Sequence, residues 1–223
     1  MKKKVLFIAA IAVGLLTTNQ AEAQDFKASE GHHNIEMNFA PMGGAPISIS
    51  KIKYRQFIAD DMALRLGVSI SSSSRKADPT KYSDDNEYQN KDSEFGLSLS
   101  PGVEKHFGGT DRLSPYIGGE INFTMLKNKN ISFDDDFNGK VYEVTEKNGN
   151  IGVGLNLLLG TDWYFTKNMY MGTEIGFGFL FVSDSKTKRS TEEPGIKDVE
   201  IEHGSSFQLG PNFQSGIRLG FLF

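Results

Sequence analysis

The sequence predicts an all-β chain folded as an eight-stranded antiparallel up-and-down transmembrane β-barrel. Three observations carry this expectation. Eight segments alternate apolar residues with small or polar ones, the period of a strand whose two faces have different surroundings. After the first, their connectors alternate between tight turns and long polar stretches, the rhythm of a barrel with one short-turn end and one long-loop end. Aromatic residues collect at the segment ends with aliphatic residues between them, which suits a slab of lipid with two interfaces.

The first segment is short, with Ile35, Met37 and Phe39 on one face and Asn34, Glu36 and Asn38 on the other. Pro41 to Pro46 reads as a tight turn. In the second segment, Ile47 to Ile58, the preferred parity sets Ile52, Tyr54 and Ile58 outward with Lys51, Lys53 and Arg55 inward. Ala59-Asp60-Asp61 turns into the third, where Leu64, Leu66, Val68 and Ile70 alternate with Arg65, Gly67, Ser69 and Ser71. After the polar stretch 72–92, the fourth sets Phe95, Leu97, Leu99, Pro101, Val103 and Phe107 against Gly96, Ser98, Ser100, Gly102 and Glu104. A turn over 108–112 leads to the fifth, with Ile117, Ile121, Phe123 and Met125 opposite Gly118, Glu120, Asn122 and Thr124.

The stretch 127–147 precedes the sixth and clearest segment. There Ile151, Val153, Leu155, Leu157, Leu159 and Trp163 alternate with Gly152, Gly154, Asn156, Gly160 and Asp162. A turn over 166–168 gives the seventh, with Met171, Ile175, Phe177, Phe179 and Phe181 opposite Gly172, Glu174, Gly176 and Gly178. Beyond 184–204 comes the eighth. Its apolar face runs Phe207, Leu209, Pro211, Phe213, Ser215, Ile217, Leu219, Phe221 and Phe223, and Arg218 and Gly220 lie on the other. The three long stretches hold 28 charged residues in 63 positions, against 23% for the whole chain, as water-exposed loops should. Glycine gathers on the inward face, where small side chains relieve crowding in a narrow tube.

At the N-terminus Lys2, Lys3 and Lys4 precede an apolar run from Val5 to Leu16, and Ala21-Glu22-Ala23 fits a small-x-small cleavage site. Residues 1–23 are therefore expected to be a signal peptide and 24–223 the barrel. The apolar run falls short of the roughly 20 residues a membrane-spanning helix needs. With no cysteine in the chain, a lipid anchor on Cys and structural disulfides are excluded. A mean hydropathy of −0.35 does not argue for a soluble protein, because only alternate residues of a barrel meet lipid. The net charge of −4, with both signs mixed, gives no footprint for nucleic acid.

Phe57, Phe107, Tyr116, Trp163, Phe165, Tyr170, Phe221 and Phe223 stand at the ends near the short turns, and Phe39, Phe95, Phe123, Phe181 and Phe207 at the opposite ends. Both sets are expected to form girdles. The chain resembles the small eight-stranded barrels of the OmpA/OmpX type, the outer-membrane β-barrel domains of Gram-negative bacteria. The signal segment, the eight alternations and the terminal Gly216-Ile-Arg-Leu-Gly-Phe-Leu-Phe223 carry the resemblance. It implies an outer-membrane location, with outer-membrane lipid and lipopolysaccharide as surroundings. It also implies a C-terminal assembly signal, Phe221 and Phe223, read by the barrel-assembly machinery. Unlike OmpA itself, nothing after the last strand is expected to bind peptidoglycan.

The inward parity collects Glu36, Glu104, Glu120, Asp162 and Glu174 with Lys51, Lys53, Arg55, Arg65 and Arg218. An eight-stranded barrel is just wide enough to be filled by its own side chains, and buried charges need partners. A lumenal ion-pair network that blocks solutes is therefore expected. Asp134-x-Asp136-x-Asn138-Gly139 matches half a calcium loop, but Thr145 stands where a bidentate acid belongs, and an Asn-Gly turn at a hairpin tip accounts for it better. His203-Gly-Ser205 resembles the His-x-Ser pair of outer-membrane lipid-A deacylases, yet no acid follows to orient the histidine. His32 and His33 read as solvated, and the Gly152-x-Gly154 and Gly176-x-Gly178 pairs precede no phosphate-binding helix.

No cofactor, metal or catalytic residue is expected. The favoured function is a non-enzymatic barrel with a filled lumen, displaying loops 72–92, 127–147 and 184–204 for binding or an envelope role. Tyr82, Tyr88 and Tyr142 are the candidate loop contacts. Two alternatives stand beside it: a narrow porin-like conduit for small or apolar solutes, and an outer-membrane lipid-modifying enzyme using Ser205.

Overall fold

The computed structural model describes residues 26–39, 51–81, 86–135, 139–213 and 217–223. Among these, every regular element is a strand: β1 (His33–Phe39), β2 (Ile52–Ala59), β3 (Met62–Lys76), β4 (Thr80–Lys81), β5 (Glu87–Tyr88), β6 (Lys91–His106), β7 (Leu113–Asp135), β8 (Val141–Tyr164), β9 (Met169–Asp184), β10 (Thr187–Thr191), β11 (Val199–Ile201), β12 (Ser205–Phe213) and β13 (Ile217–Leu222). The Pro41–Pro46 turn and the start of the second segment expected from the sequence lie outside the described residues.

Eight positions close into a ring. Neighbours pair antiparallel in the order β1, β2, β3, β6, β7, β8, β9, with β12 and β13 together filling the eighth place against β9. β13 returns to β1, from Asn34 opposite Leu222 to Phe39 opposite Ile217. His33 and Phe223 then exchange both backbone bonds, at 3.0 and 2.9 Å. Where β13 meets β1, this closure leaves no sheet edge for lipid to meet unpaired, while among the described residues β12 pairs with β9 alone.

Alternation decides the two faces. Ile52, Leu64, Leu66, Val103, Ile121, Leu157 and Ile175 point out and are exposed, while Lys53, Arg55, Arg65, Glu104, Glu120 and Glu174 on the same strands are buried. An exposed apolar belt on this scale is what a lipid-facing wall requires.

Three corrections to the sequence expectations follow. Phe57, Tyr116 and Tyr170 are not girdle residues, since each lies on the inward parity of its strand and is buried. Outward at that end stand Phe107 and Trp163. The stretch 127–147 is largely strand, because the β7–β8 ladder runs to Asp135 opposite Val141, and 72–92 begins and ends as strand, the β3–β6 ladder running unbroken to Lys76 opposite Lys91. In 184–204, β10 and β11 form a hairpin that pairs with the upper part of β8. Finally, His33 is engaged: its Nδ1 lies 2.6 Å from the Tyr54 hydroxyl, and its ring stacks on Tyr54 and Phe223.

Candidate functional site: the charged lumen

β2 supplies the centre of the lumen. Arg55 is fully buried, with 0% exposure, and its guanidinium reaches three strands. It donates to Glu104 Oε2 on β6 at 2.8 Å, to Asp162 Oδ2 on β8 at 2.8 Å and to Asn34 Oδ1 on β1 at 3.2 Å. Arg65 on β3 donates to Glu104 Oε1 at 2.6 Å and Glu174 Oε2 at 2.8 Å, and lies 3.2 Å from Glu120. Arg218 on β13 donates to Glu36 Oε2 at 2.7 Å and Asp162 Oδ1 at 2.8 Å. Lys53 bridges Glu174 at 3.3 Å and Glu36 at 3.5 Å. Lys51, higher in the barrel, meets Glu120 at 3.5 Å.

The ten charged residues singled out in the sequence thus sit in one connected cluster, five acids with five bases, and the formal charges cancel. Forked guanidiniums suit this position because each serves two carboxylates at once. Charges held out of water at such depth are tolerable only when each has an opposite charge beside it.

Sequence reading missed the aromatic and amide partners of the cluster. The Tyr116 hydroxyl donates to Glu174 Oε2 at 2.5 Å. His106 contacts Ser114 through Nδ1 at 2.9 Å and lies 3.4 Å from Glu104 through Nε2. The Arg55 guanidinium lies 5.0 Å from the Tyr170 ring centre and 5.9 Å from those of Phe57 and Tyr116, within cation–π reach. Inward parity was the signal available for all of them. Two glycines make room for the rings: Gly160 opposite Tyr116 and Gly220 opposite Tyr170, where an added Cβ would fall inside the facing ring.

Below the charges, at the short-turn end, Phe57, Ala63, Tyr164, Tyr170 and Leu222 pack with Ala28, which the N-terminal segment tucks beneath the barrel, and Phe26 packs against them. Above the charges the lumen opens into a polar cavity of about 510 Å³, lined among others by Lys51, Ser98, Ser100, Glu120, Asn122 and Gln208.

The secondary motifs find ordinary places. His203 Nε2 lies 2.7 Å from Thr187 Oγ1, so that nitrogen is engaged by the first threonine of β10. Gly139, with φ +77°, turns the β7–β8 tip, while Asp136 and Asn138 lie outside the described residues. Phe221 and Phe223 stack on each other at the closing seam, ring centres 6.4 Å apart.

A closed antiparallel ring with a lipid-facing apolar belt and a polar, ion-paired interior defines a transmembrane β-barrel of the outer-membrane class. Residues 45–222 match the OmpA-OmpF-like porin family, and the chain belongs to it. Among solved structures, the N-terminal β-barrel domain of Pseudomonas aeruginosa OprF aligns with a TM-score of 0.36 and 16% identity, covering 88% of this chain and 100% of that one. The outer membrane protein OprG of Pseudomonas aeruginosa aligns with a TM-score of 0.42 and 15% identity, covering 90% and 99%. No curated protein matches the sequence.

Proposed function

We propose that this protein is a non-enzymatic barrel of the bacterial outer membrane, closed to solutes, that holds its long hairpins rigidly at the cell surface. Residues 1–23 would direct export and then be cleaved. Phe221 and Phe223 would present the assembly signal. One observation carries the closed lumen: Arg55, Arg65 and Arg218, with the carboxylates they bind, fill the lumen at one level and leave almost no exposed side-chain surface there. An ion entering would have to displace charge-assisted hydrogen bonds in a site of low dielectric. The purified protein in planar bilayers is expected to give no stable conductance. Steady large-pore openings from the monomer would defeat this reading.

The polar cavity favours a second reading, a narrow conduit, because it brings water from the long-loop end down to Lys51 and Glu120. That conduit would need the ion pairs below to part. Small, voltage-dependent openings in the wild type that become larger or more frequent in the Arg55→Met variant, but not in a loop variant, would establish it in place of the closed barrel.

A further inference from the structure

Above the apolar belt, the outward faces of β6, β7 and β8 meet the β10 hairpin around a groove of about 460 Å³ that five lysines line: Lys127, Lys129, Lys147, Lys186 and Lys188. Cross-strand register stacks three of these charges in one row. Lys129 stands directly opposite Lys147, and Lys147 directly opposite Lys188. Like charges facing across a ladder destabilise it. Of these five lysines, only Lys186 and Lys188 have acidic partners among the described residues, Glu200 and Glu202. Lys127, Lys129 and Lys147 are exposed and have no ion pair among the described residues. Gly149 opposite Lys127 leaves the strand surface bare.

Position adds the second observation. Lys127 follows Met125 on the same outward face, and Phe95, opposite Lys127, forms the groove's apolar floor. The groove therefore sits where belt gives way to water, at headgroup height. We infer that it binds the phosphorylated headgroup of an outer-leaflet glycolipid, the phosphate lying between Lys127, Lys129 and Lys147 and the first acyl carbons over Phe95. The inference rests on the barrel reading, with the long-hairpin end facing outward. A basic cluster at a membrane surface attracts anionic headgroups in this way, and here the anion also relieves the lysine row.

Native mass spectrometry of the detergent-extracted barrel, titrated with bisphosphorylated lipid A, tests it. Wild type is expected to retain the lipid, and the Lys127→Gln/Lys129→Gln/Lys147→Gln variant to bind it at least about tenfold more weakly. Lipid A stripped of phosphate should lose a similar factor, and raising salt from about 0.1 M to about 1 M should weaken binding because the screening length shortens about threefold. Equal binding by variant and wild type, equal binding of the phosphate-free lipid, or binding of inorganic phosphate without the lipid would each overturn the site. Heat-modifiable gel migration of the same samples separates the two readings, since its absence in wild type would overturn the barrel itself. The variant removes repulsion, so it should keep the shift.

Discussion

Arg55 ties β1, β6 and β8 to β2 through one planar group, with Asn34, Glu104 and Asp162 as acceptors. Removing one partner of such a buried set leaves others charged and unmatched, at about 3–5 kcal/mol. Arg55→Ala is therefore expected to lower unfolding stability in detergent by about that amount, and a urea titration that leaves the midpoint unchanged would refute the network's structural role. Gly220→Val is expected to cost stability for a different reason, since its side chain would occupy the space of the Tyr170 ring. The paired Gly220→Val/Tyr170→Ala variant should recover part of the loss. The charged residues were legible in the sequence because a Glu or Arg between aliphatic neighbours has one plausible face. Phe57, Tyr116 and Tyr170 were not, because an aromatic near a strand end suits a girdle or a lumen floor equally. Parity alone separates the two.

At the scale of elements, β7 and β8 continue as a paired hairpin well past the apolar belt. Ile131, Phe133, Val141, Tyr142, Val144 and Thr145 favour extended backbone there. Charges on both faces hid this extension, because a strand in water on both sides has no apolar period to detect. The barrel should not depend on it: replacing 129–147 with a short Asn-Gly turn is expected to keep heat-modifiable migration, and loss of the shift would assign the tongue a folding role. The β10–β11 hairpin has its own electrostatic dependence. The hydrogen bond and charge of Lys188 lower the carboxyl of Glu200, and Glu200 in turn raises the ammonium of Lys188. The lowered acid contributes order above its unfolded value, which is lost as pH falls through the folded one. The raised base contributes order below its unfolded value, which is lost as pH rises through the folded one. Both groups are exposed, so the effect is local. After correction for intrinsic rates, amide exchange over 187–191 should be faster at pH 3 than at pH 6, and no difference would mean the pair does not order the hairpin.

For the whole molecule, an up-and-down barrel already implies that the first strand meets the last, but the register of that closing seam was beyond sequence reading. Alternation fixes which face a residue takes, but pairing β1 with β13 joins the two ends of the chain and depends on the shear of the complete ring. The placement of Ala28 beneath the barrel is likewise a consequence of closure. What alternation does determine is the depth order of the wall, and the single tryptophan tests it. Trp163 is 43% exposed, lies on the outward face, and neighbours Phe165 with ring centres 6.0 Å apart. Leu157, six residues along the same strand and also outward, sits in the aliphatic belt. Tryptophan prefers the headgroup level of a bilayer. On insertion into vesicles, Trp163 emission should shift to the blue and be quenched more by lipids brominated near the carbonyl than by lipids brominated near the chain end. In Trp163→Phe/Leu157→Trp the preference should reverse. An unshifted, unquenched Trp163 in protein that still migrates as a folded barrel would mean that the apolar belt is covered by something other than lipid. Quenching at one depth for both positions would mean that the strands do not cross the bilayer in the order their alternation sets.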